Sequence, residues 1–146
     1  MTLDEFRKQY PFTLDDVVQW GDMDAFQHVN NTIYFKYFER ARIYCLDKIG
    51  IIDYMRRFKR GPILASTSCR FKSPLTYPDK LVLGTGVFDL EADRFKMSYA
   101  VYSIGLQRVA AEGDGVTVWF DYDKGQKAEI PEQVRVLLAR AASGIP

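Results

Sequence analysis

Residues 21–50 read GDMDAFQHVNNTIYFKYFERARIYCLDKIG, a polar loop followed by a long apolar-rich segment. From Asn31 to Ile49 the apolar side chains recur with the spacing of one helix face, which predicts an amphipathic helix. The most regular series is Tyr34, Phe38, Ala41 and Cys45. Asn30 or Asn31 supplies a capping oxygen, and Gly50 stands where helices commonly end in a left-handed residue. Because the apolar face is broad, we expect the protein or a partner to enclose this helix.

Outward from the helix, the pattern changes to the alternation typical of strands. Apolar residues alternate over 63–71, 81–87, 95–101 and 116–120, and a shorter run at 14–20 precedes the helix. In the first of these runs, the residues expected on one face are Ile63, Ala65, Thr67, Cys69 and Phe71. Gly113 and Gly115 indicate either a bulge within one strand from 107 to 122 or a break into two strands.

Two further segments complete the chain. Residues 51–60 connect the long helix to the strands and can be helical, while residues 131–142 begin with proline and carry one apolar face, which predicts a short surface helix. The turns between strands are mostly short. The order of elements therefore predicts an α+β fold, an antiparallel sheet packed on one long helix, in a single domain over residues 1–146.

The composition excludes several classes of protein. The 146 residues carry 20 basic and 19 acidic side chains, so no overall field attracts nucleic acid or an anionic membrane. No apolar run approaches the ~20 residues that cross a bilayer, and no signal core precedes residue 10, so we expect a cytoplasmic protein. Cys45 and Cys69 lie in apolar-patterned segments, and we expect both to be reduced and buried.

The loop before the long helix carries the candidate chemistry. Asp24 precedes Asn31 closely enough for a loop to bring its carboxylate beside the unpaired N–H groups of the first helical turn. A carboxylate next to such an oxyanion site suits attack on an acyl carbonyl. His28, the one histidine of the chain, lies in the same loop, either in the chemistry or ordering Asp24. Asp22 is expected to serve the turn.

Other chemistries lack their motifs. The loop has neither the glycine nor the glutamate of a calcium-binding loop, and one histidine with two dispersed cysteines does not make a zinc site. The sequence has no dinucleotide-binding, P-loop or GxSxG motif. We therefore expect no metal and no cofactor.

The loop, the FERAR segment at 38–42 and the FKSP segment at 71–74 resemble hotdog-fold acyl-thioesterases, especially the 4-hydroxybenzoyl-CoA thioesterase-like branch. This resemblance implies an antiparallel sheet wrapped around the long helix, in a homodimer or homotetramer. It also implies that Asp24 is the catalytic carboxylate and that the backbone N–H of Asn31 polarises the thioester carbonyl. The HVNN run at 28–31 resembles plant acyl-carrier-protein thioesterases, in which a histidine is functional, but Phe26 replaces their asparagine here.

The resemblance implies hydrolysis of an acyl-CoA or acyl-carrier thioester, with Asp24 as base or nucleophile. Because CoA carries phosphates, basic residues near the site are candidate contacts. These are Arg70, Lys72, Arg94 and Lys96. Acidic Glu91 and Asp93 stand where the hydroxybenzoyl-CoA branch has a basic run, which leaves the carrier open. Two alternatives remain, a hotdog dehydratase and a non-catalytic acyl-binding module.

Overall fold

The computed structural model describes residues 1–144. Its elements, in chain order, are α1 (Leu3–Gln9), β1 (Phe12–Val17), a 3₁₀ turn (Trp20–Asp22), α2 (Asn31–Lys48), α3 (Ile51–Phe58), β2 (Arg60–Phe71), β3 (Lys80–Phe88), β4 (Arg94–Ser103), β5 (Arg108–Asp121), β6 (Gln126–Lys127) and α4 (Glu132–Ala142). The strands form one antiparallel sheet in the order β1-β3-β4-β5-β2, and β6 pairs with the end of β5. The sheet curls around α2, so the expected α+β hotdog fold is confirmed.

The central helix α2 packs against the inner face of the sheet and has a defined cap at each end. Its buried side chains are Tyr34, Tyr37, Phe38, Ala41, Cys45 and Leu46. They pack on the inner faces of β3 and β4, and the ring of Phe38 stacks on Tyr99 at 4.9 Å between centroids. Asn30 is the N-cap, and Gly50 at φ +91° turns the chain directly into α3. Residues 51–60 are thus largely helical.

The inner face of the sheet follows the predicted alternation in β3 and β4 but not in β2. The core contains Leu81, Leu83 and Val87 of β3 and Phe95, Met97, Tyr99 and Val101 of β4. In β2 the pairing skips Ala65, since Leu64 lies opposite Thr117 and Ser66 opposite Val116. This bulge reverses the alternation. Ile63 consequently lies on the opposite face from Thr67, Cys69 and Phe71, so the prediction of one shared face was wrong.

Strand β5 is continuous through its glycines. Of the two alternatives, the single strand is right, but the bulge is not at the glycines. In the pairing with β4, Val101 lies opposite Ala111 and Tyr102 lies opposite Val109, which leaves Ala110 as the extra residue. The strand predicted at 14–20 begins and ends earlier, at Phe12 and Val17. Trp20 belongs to the 3₁₀ turn because the chain must leave the sheet there to reach α2.

The N-terminal helix α1 was not predicted. Thr2 and Glu5 form a reciprocal capping box at its start. Phe6 and Tyr10 pack on the outer face of the sheet in a second apolar cluster, separate from the core around α2. Gly84 lies directly beneath them, and a Cβ there would stand 2.8 Å from atoms of both rings. The missing side chain therefore allows α1 to contact the sheet.

Helix α4 appears where the sequence predicts it. Val134, Leu138 and Ala141 are buried in the core around α2, so this helix closes the core as well as covering the surface. Both cysteines are free thiols. Cys45 is buried as expected, whereas the expected burial of Cys69 was wrong, since this residue lies on the edge strand β2 and is only half-buried. Burial raises the pKa of Cys45 to about 12 and that of Cys69 to about 11, which keeps both protonated near neutral pH.

Candidate functional site

The segment between the 3₁₀ turn and α2 folds into a small turn around Asp24. The N–H of Asp24 donates to the carbonyl of His28 at 2.8 Å. In return, Oδ1 of Asp24 accepts the N–H of Phe26 at 2.8 Å and that of His28 at 3.4 Å. Gln27 takes a left-handed backbone, φ +64°, to close the turn. One carboxylate oxygen thus holds the turn, and Oδ2 receives no hydrogen bond from residues 1–144.

The base of this turn is closed by backbone pairing. Met23 and Val29 form an antiparallel bridge, and the N–H of Asn30 donates to the carbonyl of Asp22 at 2.9 Å. The N–H of Val29 donates to the carbonyl of Leu75 in the connection between β2 and β3, also at 2.9 Å. The turn is therefore a compact unit attached at its base to the start of α2 and to one neighbouring loop.

The first turn of α2 has one N–H group without an acceptor. The side chain of Asn30 accepts the N–H of Thr32 at 3.0 Å, and its carbonyl accepts the N–H of Ile33 at 2.9 Å. The N–H of Asn31 has no hydrogen-bond partner within residues 1–144. Since the helix dipole also favours negative charge at this end, the Asn31 amide is free to donate a hydrogen bond to an anionic group.

Asp24, His28 and Asn31, the three predicted catalytic residues, share one cavity of about 350 Å³. Its other lining residues are Phe26, Val29, Tyr34, Phe71, Lys72, Ser73 and Pro74. The side chain of His28 has no hydrogen-bond partner among the described residues. The arrangement brings together a carboxylate with a free oxygen, an imidazole and an unpaired backbone donor.

Part of the cavity wall comes from Tyr34 and Phe71, which were not predicted to be site residues. Tyr34 is buried and accepts the N–H of Leu75 at 3.3 Å, so the helix and the β2–β3 connection meet at its hydroxyl. Burial raises the pKa of Tyr34, which keeps its hydroxyl protonated. Phe71 packs edge-on against Tyr34 at 5.1 Å between centroids and is itself half exposed. In the sequence, the position of Phe71 next to Lys72 in the FKSP segment could have indicated that Phe71 lies at the site.

The predicted basic contacts are divided between two parts of the sheet. Lys72 lines the cavity, and both Lys72 and Arg70 pair with Glu112, at 3.3 and 2.8 Å. The Arg70 hydrogen bond lowers the pKa of Glu112. On β4, Arg94 lies opposite Val118 of β5. Val118 is six residues along β5 from Glu112, so at ~3.3 Å per residue Arg94 lies ~20 Å from Glu112.

Arg94 and Lys96 each have an acidic neighbour. Arg94 pairs with Asp93 at 2.9 Å, and Lys96 pairs with Asp89 at 3.3 Å. Neither residue lines the cavity of Asp24. Within one chain, therefore, Lys72 is the predicted basic residue that the fold brings to the site.

A larger cavity of about 580 Å³ lies between the end of β1, the residues before β3 and the β4–β5 turn. Its one carboxylate, Asp79, is occupied by the hydroxyl of Ser103 and by the N–H of Gly105. This cavity contains none of the predicted site residues. The smaller cavity is the candidate active site because it combines the free carboxylate oxygen with the free amide.

A sequence model of one protein family, the thioesterase-like superfamily, matches residues 18–138, which include the whole site loop. The chain belongs to this family. The resemblance to hotdog thioesterases is confirmed by this match and by the structural neighbours. The family assignment supports thioester hydrolysis in general.

The chain is also similar to a plant protein and to solved structures that are named as thioesterases. The chain is 29% identical over 115 residues to acyl-acyl carrier protein thioesterase ATL3, chloroplastic, of Arabidopsis thaliana, covering 78% of this chain and 60% of the plant protein. The chain thus spans about 60% of the length of that relative. A putative thioesterase from Pseudomonas aeruginosa has a TM-score of 0.76 and 27% identity, covering 88% of this chain and 98% of that protein.

A gentisyl-coenzyme A thioesterase is similar to the same degree. Its TM-score is 0.74 at 27% identity, covering 87% of this chain and 98% of that protein. In residues 1–144, no helix is both long and apolar enough to span a membrane.

Proposed function

We propose that this chain hydrolyses an acyl thioester, with Asp24 as the catalytic carboxylate and the backbone N–H of Asn31 as the oxyanion donor. The observation that carries the proposal is that Asp24, with one carboxylate oxygen free of hydrogen bonds among residues 1–144, and Asn31, with an unpaired backbone N–H, line the same cavity. Acyl transfer needs these two groups, one to activate or supply the nucleophile and one to stabilise the tetrahedral oxyanion.

The two carboxylate oxygens of Asp24 differ in their hydrogen bonds. Oδ1 holds the turn, so Oδ2 is the oxygen that acts on the substrate. As a base, Oδ2 takes a proton from water while the water oxygen attacks the carbonyl carbon. The C–S bond then breaks, and the proton passes to the departing thiolate. As a nucleophile, Oδ2 attacks the carbon itself and displaces the thiolate, and water then cleaves the resulting anhydride to release the acid.

His28 and Lys72 serve binding in this proposal. Both line the cavity beside Asp24, and the imidazole of His28 has no partner among residues 1–144 to compete with a substrate. Lys72 supplies a positive charge near the mouth, although Glu112 neutralises part of it. Because this charge is partly neutralised, it does not distinguish CoA from an acyl-carrier protein as the carrier of the acyl group.

The active protein in this proposal is an assembly of at least two copies. Strand β2 ends the order β1-β3-β4-β5-β2, so a long row of its backbone groups has no neighbouring strand among the described residues. Apolar side chains remain exposed at Phe71 of β2 and at Phe35 and Ile43 of α2, and Ile43 lines a groove together with Pro62 and Leu64 of β2. A free edge flanked by apolar surface suits pairing with a second copy.

The experiment measures thiol release from acyl-CoA esters and from acyl-carrier-protein thioesters of short, long and aromatic acyl groups. Asp24→Asn retains an oxygen that accepts the Phe26 N–H, so the turn is preserved while the base or nucleophile is lost. We expect kcat to fall at least about 100-fold, the lower range for loss of a general base. Asp47→Asn, an exposed carboxylate on α2 without an ion pair among residues 1–144, is the matched control and should retain full activity.

Three results would count against the proposal. Equal turnover by wild type and Asp24→Asn would remove Asp24 from the chemistry. A thermal shift with thioesters but no thiol release from the wild type would identify an acyl-binding module instead. Hydration or dehydration of an enoyl thioester without hydrolysis would identify the dehydratase alternative.

A further inference from the structure

Asp22 has a role that its place in a turn did not predict. Its backbone carbonyl accepts the N–H of Asn30, the N-cap of α2, at 2.9 Å. Its side-chain oxygen Oδ2 accepts two further hydrogen bonds, from the N–H of Gln19 at 2.9 Å and from the hydroxyl of Tyr37 at 3.4 Å. One residue thus connects the segment that follows β1, the start of α2 and the middle of α2.

We propose that Asp22 is a positioning residue that fixes the Asp24 turn against α2 through these hydrogen bonds. The inference rests on the proposed function, since it concerns where Asp24 lies relative to the Asn31 amide. Asp22 contacts neither the cavity nor the reacting groups. It acts by holding one strand of the base of the turn, directly opposite Asn30.

The anchor for Asp22 is rigid. Tyr37 is fully buried, and burial, together with the negative charges of Asp22 and Asp16, raises the pKa of its hydroxyl far above the ordinary value. The hydroxyl therefore remains a donor throughout the working pH range. The guanidinium of Arg40 lies 5.7 Å from the centre of the Tyr37 ring and binds Asp16 of β1 at 2.8 Å. Arg40 thus connects the ring of Tyr37 on α2 to Asp16 on β1.

The Asp24 turn depends on this anchor because its other hydrogen bonds are mostly internal. The contacts among Asp24, Phe26 and His28 keep the shape of the turn but do not fix its direction. Apart from the pairing at the base, the turn is attached to a neighbouring loop by the hydrogen bond from the N–H of Val29 to the carbonyl of Leu75. If the Asp22 side of the base loosens, the turn can swing as a unit. A displacement of ~1 Å can cost ~100-fold in rate, because catalysis requires alignment of the reacting groups.

Three variants and a control test the proposal in the full-length protein. Asp22→Ala removes the acceptor, and we expect kcat to fall about 10- to 100-fold with KM changed less than about 2-fold. Asp22→Asn retains one oxygen able to accept both hydrogen bonds and should restore near wild-type kcat. Tyr37→Phe removes one donor and should lower kcat several-fold. Tyr44→Phe removes a hydroxyl that makes no hydrogen bond among residues 1–144 and should change nothing.

Amide hydrogen exchange of residues 23–30 gives a readout that does not require activity. Exchange should accelerate in Asp22→Ala and Tyr37→Phe but not in Asp22→Asn or Tyr44→Phe. If the wild type releases no thiol, the proposed function fails, while the exchange data still show whether Asp22 holds the turn. Two results would overturn the proposal. One is an unchanged rate of amide exchange in Asp22→Ala, and the other is a loss of kcat in Asp22→Asn equal to the loss in Asp22→Ala.

Discussion

The Asn31 residue contributes its backbone rather than its side chain to the proposed chemistry. The capping oxygen comes from Asn30, whose side chain accepts the N–H and the hydroxyl of Thr32. Asn31 is the first helical residue, a position at which proline is well tolerated in helices. The preceding Asn30 already has the extended backbone, φ −61° and ψ 141°, that a residue before proline prefers. Removal of a single amide hydrogen is therefore structurally feasible.

Asn31→Pro should lower kcat for thioester hydrolysis by about 100- to 1,000-fold, the usual cost of losing one oxyanion donor. Asn31→Ala retains the N–H and should stay within about 2-fold of wild type. Circular dichroism and thermal melting of both variants establish that α2 is intact. Equal activity of the proline and alanine variants would show that a different group stabilises the oxyanion.

At the level of single residues, the sequence predicted that Asp24 and Asn31 lie close together, which the shared cavity shows, but it did not predict the residues that hold them there. The position of Asp24 before a helix start was enough to place both at one cavity, because a short loop cannot separate them widely. Asp22 was interpreted only as a turn residue because its partner Tyr37 lies 15 positions along the chain. A hydrogen bond across such a separation depends on the path of the loop, which local patterns do not contain.

At the level of elements, prediction succeeded where the alternation was uninterrupted. Strands β3 and β4 pair without a break through the predicted core positions, whereas the bulge at Ala65 turns Ile63 to the other face of β2. Ala65 has no sequence feature that marks a bulge, since glycine is the usual signal. Helix α1 was missed although Thr2 and Glu5 have the capping-box spacing, because seven residues carry too little periodicity.

The contact of α1 with the sheet leads to a prediction about Gly84. A Cβ at this position would lie 2.8 Å from Phe6 Cζ and from Tyr10 Cβ, and Phe6 is fully buried. Gly84→Ala should therefore displace α1 and lower the free energy of unfolding by about 1–3 kcal/mol, the range for overpacking. Urea denaturation measures this change. Gly21→Ala, where no atom lies within 4 Å of the added carbon, should be neutral or slightly stabilising. Equal effects would show that α1 does not depend on this contact.

At the level of the whole molecule, one chain forms a complete core but leaves one side of its sheet and helix uncovered. The core around α2 is closed by β1, β3 and β4 on one side and by α4. On the β2 side, Phe71 forms part of the cavity wall and is 48% exposed. A second copy placed along β2 would cover this wall and narrow the cavity, which would exclude water from the acyl group.

Ile43 tests this assembly because it is 48% exposed on α2, near the free edge of β2. A carboxylate buried at an interface without a partner costs several kcal/mol, so Ile43→Glu should dissociate the assembly. Val136→Glu is the matched control, since Val136 is 49% exposed on α4, away from β2. By sedimentation velocity at micromolar concentration, wild type and Val136→Glu should have at least twice the 16.9 kDa chain mass, and Ile43→Glu the mass of one chain. If Ile43→Glu retains the wild-type mass while Val136→Glu dissociates, the copies pair through α4. A monomeric wild type would mean that one chain must close its own active site.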